Sequence, residues 1–253
     1  MKIARLSMQQ GYRYAIYDPD ADDYIVLADD PLFAREVKPT GQRVAKADAE
    51  LVAPMLPRTK VFGFGGTYRQ GATAADLSTF LKPSTSVTGP EDPIMVPQWA
   101  PGLVHEAEIA VVIAHPLKDA TAAQARKAIL GYTVIDDLTV TGVGPAQAKY
   151  WDSSLPLGPV IETDFDYQQA RITSRVNGNL VTDVQAADLA FSPEELVAIA
   201  SQHTSLLPGD IVLTGTGTAN GEVTHQDVVE VTVEGIGTIR NQIFAPHLAP
   251  QAN

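Results

Sequence analysis

Glu106 and Glu108 are the residues of this chain whose type and spacing point most directly to chemistry. They stand in His105-Glu106-Ala107-Glu108-Ile109-Ala110-Val111-Val112-Ile113-Ala114, whose second half is a run of β-branched and small apolar residues. Such a run marks a strand buried on both faces. Successive strand side chains alternate in direction, so the two glutamates share one face. Neighbouring carboxylates repel, and burying them unpaired costs on the order of several kcal/mol. A hard divalent cation resolves both problems. Mg²⁺ takes oxygen ligands in octahedral geometry, and one or two carboxylates with waters and substrate complete the set. The alternative is a solvated strand end with two ordinary acidic residues, since E-x-E is a common pattern.

Other residues could join such a site. Tyr132-Thr133-Val134-Ile135-Asp136-Asp137 reads as a strand with carboxylates at its end, and only one of the two aspartates can share the glutamates' face. Lys149 and Asp152 follow. His105 points opposite to Glu106, which makes it a packed or surface histidine. Val61-Phe62-Gly63-Phe64-Gly65-Gly66 lacks the third Gly of G-x-G-x-x-G and any G-K-[ST], so its glycines serve close packing or a bulge. The acidic stretch Asp18-Pro19-Asp20-Ala21-Asp22-Asp23 lacks the Gly and distal Glu of a calcium loop and reads as a solvated turn.

Composition bounds the function classes. A chain of 253 residues with 45% apolar residues can bury a sizeable core. With no cysteine, disulfides, thiolate zinc sites and a cysteine nucleophile are excluded. A net charge of -12 disfavours nucleic acid and anionic membranes as partners, so an anionic substrate needs a local positive field. The N-terminal residues carry no signal-peptide core, and no apolar run spans a bilayer. A soluble, cytoplasmic protein is expected.

The elements that must position these residues are mostly strands. Residues 2–7, 12–17 and 24–27 form a small β-rich N-terminal unit (1–58), followed by a main domain (59–253). Phe80 to Pro90 reads as a Pro/Ser/Gly loop carrying Lys82, which could contact substrate, although a loop lysine is usually solvated. Ala122 to Leu130 has helical composition with Gly131 as its stop. Asn177-Gly178 signals a type I′ hairpin, and Ser192-Pro193-Glu194-Glu195 a helix start. Strands do not alternate with helices, so the class is α+β, mostly β, and not a doubly wound nucleotide fold.

Seven segments in order resemble the fumarylacetoacetate hydrolase family: F-L-K-P-S-T-S-V-T-G-P, H-E-A-E-I-A-V-V-I, G-Y-T-V-I-D-D, K-Y-W-D-S-S-L-P-L-G-P, V-N-G, L-P-G-D-I-V-L-T-G-T and E-G-I-G-T-I. They span about Phe62 to Asn241. The resemblance implies a mixed-sheet β roll, often a homodimer. It implies Mg²⁺ or Mn²⁺ held by Glu106, Glu108 and Asp137, with Lys149 beside the metal and Thr214, Gly215 and Thr216 lining the same site. It further implies a small 2-oxo acid substrate. Such a substrate chelates through a carboxylate and a ketone oxygen, the metal stabilises an enolate, and Lys149 adds positive charge where negative charge develops.

The chain departs from the family pattern at one point that matters for reaction type. Hydrolytic members carry N-Y-x-x-H-x-x-E after the first Gly-rich strand, and the matching positions here are Thr67, Tyr68, Gly71 and Ala74. The tyrosine alone is kept, so no general base comes from this loop. An arginine that often follows the metal aspartate is also missing, with Thr141 and Gly142 near its place, and T-G-T-P reads T-G-T-G. Tyr68 could move a proton, while Arg69 and Gln70 could hold a carboxylate. Tautomerisation, isomerisation or decarboxylation of 2-oxo acids is therefore favoured. The competing expectations are C–C hydrolysis with a base from elsewhere, and a non-catalytic homologue that binds metal and dicarboxylate.

Overall fold

The computed structural model describes residues 1–34, 36–217 and 221–249. Alternating apolar positions near the N-terminus fold as β1 (Lys2–Ser7), β2 (Arg13–Asp18) and β3 (Asp23–Leu27), joined by β4 (Pro39–Ala45) and β5 (Glu50–Val52). Then come β6 (Val61–Gly65), β7 (Ser78–Lys82), β8 (Val87–Thr88), β9 (Ile94–Met95), β10 (Leu103–His105) and β11 (Ala107–Ile113). A capping box of Thr121 and Gln124 starts α1 (Ala122–Ala128), followed by β12 (Ile129–Asp136), β13 (Thr139–Val140) and β14 (Leu155–Glu162). The hairpin of β15 (Arg171–Val176) and β16 (Asn179–Gln185) turns at Asn177 and Gly178, both at positive φ as a type I′ turn requires. Ser192 and Glu195 cap α2 (Pro193–His203). The chain continues through β17 (Ile211–Leu213), β18 (Gly221–Glu222), β19 (Val228–Val233) and β20 (Gly237–Phe244).

The fold is mostly β with mixed sheets, as the sequence implies. A 12-stranded sheet runs β4-β3-β2-β1-β14-β12-β11-β17-β6-β7, with β5 on β1 and β8 on β14. Most neighbours are antiparallel, but β17 pairs with β6, and β8 with β14, in parallel. A five-stranded sheet, β16-β15-β19-β20-β9, packs on one face of this large sheet. A small sheet, β13-β10-β18, lies at the junction. Strand β11 is buried throughout. Its Ile109, Val111 and Ile113 enter the large core with Ile172, Val231 and Leu196, whereas Ala110 and Val112 enter two smaller cores on the opposite face. This two-faced burial explains the unbroken apolar run. Among the described residues, no helix is long and apolar enough to cross a membrane.

Three local expectations need correction. The E-x-E segment is not one strand: β10 belongs to the small sheet, β11 to the large one, and Glu106 stands between them. Lys82 is not on a loop but ends β7, which pairs with β6 through Val61. Helix α1 stops at Ala128, and Gly131 lies inside β12. A Cβ there would come within 2.5 Å of the Glu162 carbonyl oxygen, so close strand approach, not helix termination, requires the glycine. The N-terminal strands extend the large sheet, because β1 pairs with β14 (Ile3 opposite Ile161).

One buried carboxylate clips the start of β6 to the start of β17. Asp210 follows the Leu207-Pro208-Gly209 turn and is fully buried. It accepts from Thr59 N at 3.1 Å, Lys60 N at 3.2 Å, Leu207 N at 3.0 Å and Lys60 Nζ at 2.7 Å. Burial pushes its pKa up, but the hydrogen bonds from Lys60 and Thr59 outweigh this and hold it below the usual aspartate value. A depressed carboxylate stabilises the fold above its unfolded-state pKa of about 3.9 and loses that contribution as pH falls through the folded value. Asp210→Ala is expected to cost about 3 kcal/mol at neutral pH in urea unfolding. The gap from wild type should narrow in acid. A gap independent of pH would show that the ionised carboxylate is not what holds the turn.

Candidate metal centre

Glu106 and Glu108, singled out by type and spacing, and Asp137, implied by the resemblance, come together where β11 meets β12. Glu108 lies in β11, Glu106 just before it, and Asp137 just after β12. The two antiparallel strands set Ala107 opposite Asp136 and Glu108 opposite Ile135. Beyond that ladder, Asp137 N donates to Glu106 O at 2.9 Å, and Glu106 N to Asp136 Oδ1 at 2.8 Å. One carboxylate oxygen from each of Glu106, Glu108 and Asp137 lies within 4.8 Å of the others. Glu108 and Asp137 are buried and Glu106 is partly exposed.

Two lysines neutralise this cluster from different sides. Lys149 Nζ donates to Glu106 Oε2 at 2.7 Å, Asp137 Oδ2 at 2.5 Å and Thr139 Oγ1 at 2.5 Å, and lies 4.4 Å from the Phe80 ring centre. Lys82 Nζ donates to Asp137 Oδ1 at 2.5 Å, Leu138 O at 3.1 Å and Ser154 O at 2.8 Å. Lys82 is buried, and these contacts use its three donors, so it braces Asp137 from behind instead of reaching a substrate. The expected substrate contact is corrected accordingly.

The electrostatics show a cluster short of positive charge. Burial, then the charges of Asp137 and Glu106, push Glu108 well above the usual glutamate pKa. Burial also raises Glu106, although Lys149 opposes it. Asp137 is held low despite burial, because Lys82 and Lys149 both pair with it. Lys149 is raised against the effect of burial by Asp137 and Glu106. With every group ionised, three carboxylates against two ammonium groups carry one net negative charge, which burial resists by raising Glu108. All-oxygen, carboxylate-rich donors at this spacing fit a hard divalent cation, which would reverse the sign and leave the centre attractive to an anion.

A cleft of about 640 Å³ opens onto Glu106, Glu108 and Lys149 and is walled by Phe64, Phe80 and Pro145. Tyr68, Arg69 and Thr216 also line it. The buried Tyr68 Oη and Thr216 Oγ1 have no hydrogen-bond partner among the described residues. Burial, followed by the Glu108 charge, raises Tyr68, so its hydroxyl stays protonated at neutral pH and can donate a hydrogen bond. Arg69 is exposed at the cleft and 3.2 Å from Asp76. Thr214 is turned away, its hydroxyl on Ile109 O at 2.8 Å. Gly215 donates its N–H to Glu108 Oε2 at 2.7 Å. Its φ of +85°, with Thr67 Oγ1 2.2 Å from where a Cβ would stand, admits only glycine.

The neighbouring candidates fall outside the cleft. His105 is buried away from it. Gln70 donates to Asp188 O. Gly71 and Ala74 are exposed on the loop after β6, which carries no base at either position. Sequence reasoning missed Thr139 and Phe80, which fix the Lys149 ammonium. Thr139 sits two residues after Asp137, a spacing that places both on one face of an extended segment.

Comparison with known proteins bears on this geometry. The sequence profile of the fumarylacetoacetate (FAA) hydrolase C-terminal family matches residues 65–244, and that of the Rv2993c-like N-terminal family matches residues 1–54. Protein Rv2993c of Mycobacterium tuberculosis is 33% identical over 96% of this chain and 98% of its own length. Oxaloacetate tautomerase YcgM of Escherichia coli is 32% identical over 71% of this chain and 90% of its own. The crystal structure of 5-carboxymethyl-2-hydroxymuconate delta-isomerase from Mycobacterium smegmatis superposes with a TM-score of 0.88 at 34% identity, covering 97% of this chain and all of that one. Profile, relatives and fold agree, and the chain belongs to the fumarylacetoacetate hydrolase family.

Proposed function

We propose that the protein is a divalent-metal-dependent tautomerase or isomerase of small 2-oxo acids, using Mg²⁺ or Mn²⁺. The observation that carries this reading is the cation-deficient trio of Glu106, Glu108 and Asp137, whose two glutamates line a cleft bordered by the loop that has Gly71 and Ala74 in place of a base. A divalent cation bound by these carboxylates would polarise the substrate ketone and stabilise the enolate. Lys149, whose three Nζ protons are held by Glu106, Asp137 and Thr139, lines the cleft and supplies a fixed positive charge near the oxygen that gains charge. Tyr68 Oη and Thr216 Oγ1, unpartnered among the described residues, orient the substrate's oxygens by donating to them. Arg69 offers a cation to a second carboxylate. Keto–enol interconversion moves a proton between carbon and oxygen and consumes no water, so it needs no water-activating base. The names of the Escherichia coli and Mycobacterium smegmatis relatives support the same reaction class.

The test follows enol absorbance with oxaloacetate, acetylpyruvate and an unsaturated 2-oxo diacid, in Mg²⁺ or Mn²⁺, for wild type and Glu106→Ala. Metal-dependent enol–keto exchange with oxaloacetate or the diacid, lost in the variant, is expected. Release of acetate from acetylpyruvate at a comparable rate would instead establish C–C hydrolysis and overturn the assignment.

A further inference from the structure

Glu106 stands where the chain leaves one sheet for another, so no continuous ladder fixes its backbone. Its N–H is held at 2.8 Å by Asp136 Oδ1, and its carbonyl by Asp137 N at 2.9 Å. Asp136 is itself buried and does not line the cleft. His105 Nδ1 lies 3.7 Å from the same Asp136 oxygen, and His105 Nε2 lies 3.4 Å from Ser174 Oγ. Ser174 Oγ accepts in turn from Thr182 N at 3.2 Å. Strand β18 closes over this line, because a Cβ on Gly221 would stand 2.6 Å from His105 Nε2. A row of buried polar groups thus runs from the five-stranded sheet to the backbone of one cage carboxylate.

We infer that Asp136 is a positioning residue. Its oxygen fixes the Glu106 backbone in the conformation that turns the Glu106 carboxylate toward Glu108 and Asp137, and His105, whose Nδ1 faces that oxygen at 3.7 Å without a hydrogen bond, packs behind it. Outer groups that orient ligand-bearing residues commonly alter metal affinity by about 10- to 100-fold. The inference rests on the proposal that the trio holds a divalent cation, and the experiment separates the two.

Mn²⁺ is titrated calorimetrically into the wild type, Asp136→Ala, Asp136→Asn and His105→Leu, and metal-free melting is recorded for each. Asp136→Ala should weaken Mn²⁺ binding about 10-fold or more, whereas Asp136→Asn, which keeps an acceptor oxygen, should stay within about threefold of wild type. His105→Leu leaves the Glu106 hydrogen bond in place and loosens only the packing behind Asp136, so it should fall between these two. If Asp136→Ala does not fold, the His105→Leu titration decides, and wild-type affinity there overturns the packed arrangement. Unchanged affinity in Asp136→Ala, or equal losses in Asp136→Ala and Asp136→Asn, would overturn the positioning role alone. No Mn²⁺ binding by the wild type would overturn the metal reading and this inference with it.

Discussion

Glu108→Gln is expected to abolish divalent-cation binding and turnover while raising the melting temperature of the metal-free protein. Glu108 is fully buried, and burial together with Asp137 and Glu106 pushes its pKa well up. Without a cation, its ionised form destabilises the fold. Glutamine has the same shape without the charge, and its amide oxygen can still accept from Gly215 N, 2.7 Å from the present Oε2. The same exchange removes a carboxylate ligand and a negative charge that a hard cation requires. At 100 times Kd, a bound cation stabilises the wild type by about 2.7 kcal/mol. For a chain of this size that corresponds to a shift of roughly 5–10 °C. Thermal melts with and without Mg²⁺ should therefore separate the wild type, which shifts, from the variant, which starts higher and does not. A variant that still shifts would remove Glu108 from the ligand set.

The second large effect is expected at Lys82. Lys82→Met should destabilise the protein by about 3–5 kcal/mol, the usual result of breaking a buried ion pair from one side. Methionine nearly fills the same volume, so the loss is not one of packing. It arises because Asp137 Oδ1, Leu138 O and Ser154 O lose their shared donor in a dry environment. Asp137 keeps Lys149, 2.5 Å away, but on its other oxygen. Urea unfolding of Lys82→Met, Asp137→Asn and the double variant would measure the coupling. The double variant should recover part of the single-variant loss, because the orphaned charge is gone. A cost below about 1 kcal/mol for Lys82→Met would mean that the pair contributes little beyond a surface contact.

The glutamate pair was legible in local sequence, and His105 lies buried away from the cleft although the strand argument that put it there breaks at Glu106. The break at Glu106 was not legible, since it depends on Val104 pairing with Glu222 far along the chain. Lys82 was misplaced for the same reason. Its Pro-Ser-Thr-Ser neighbours signal a loop, but the partner strand β6 decides that residues up to Lys82 are extended. Gly131 looked like a helix stop because a glycine's local signal is the same whether it frees φ or admits a neighbouring strand. Periodicity also could not choose between Asp136 and Asp137. Resemblance made that choice, and the structure sets Asp137 among the carboxylates and Asp136 behind them.

The cage and the loop above it lie on different parts of the architecture. Glu108 and Asp137 are enclosed by packed strands, whereas Gly71 and Ala74 face solvent, with open space where a Gly71 side chain would begin. Gly71 has a φ of +77°, so a side chain there costs about 1–2 kcal/mol, a loss many folds survive. Ala74 carries no such constraint. Selection can therefore act on the two regions separately. The rim can thus be rebuilt by substitution without repacking the carboxylate core beneath it.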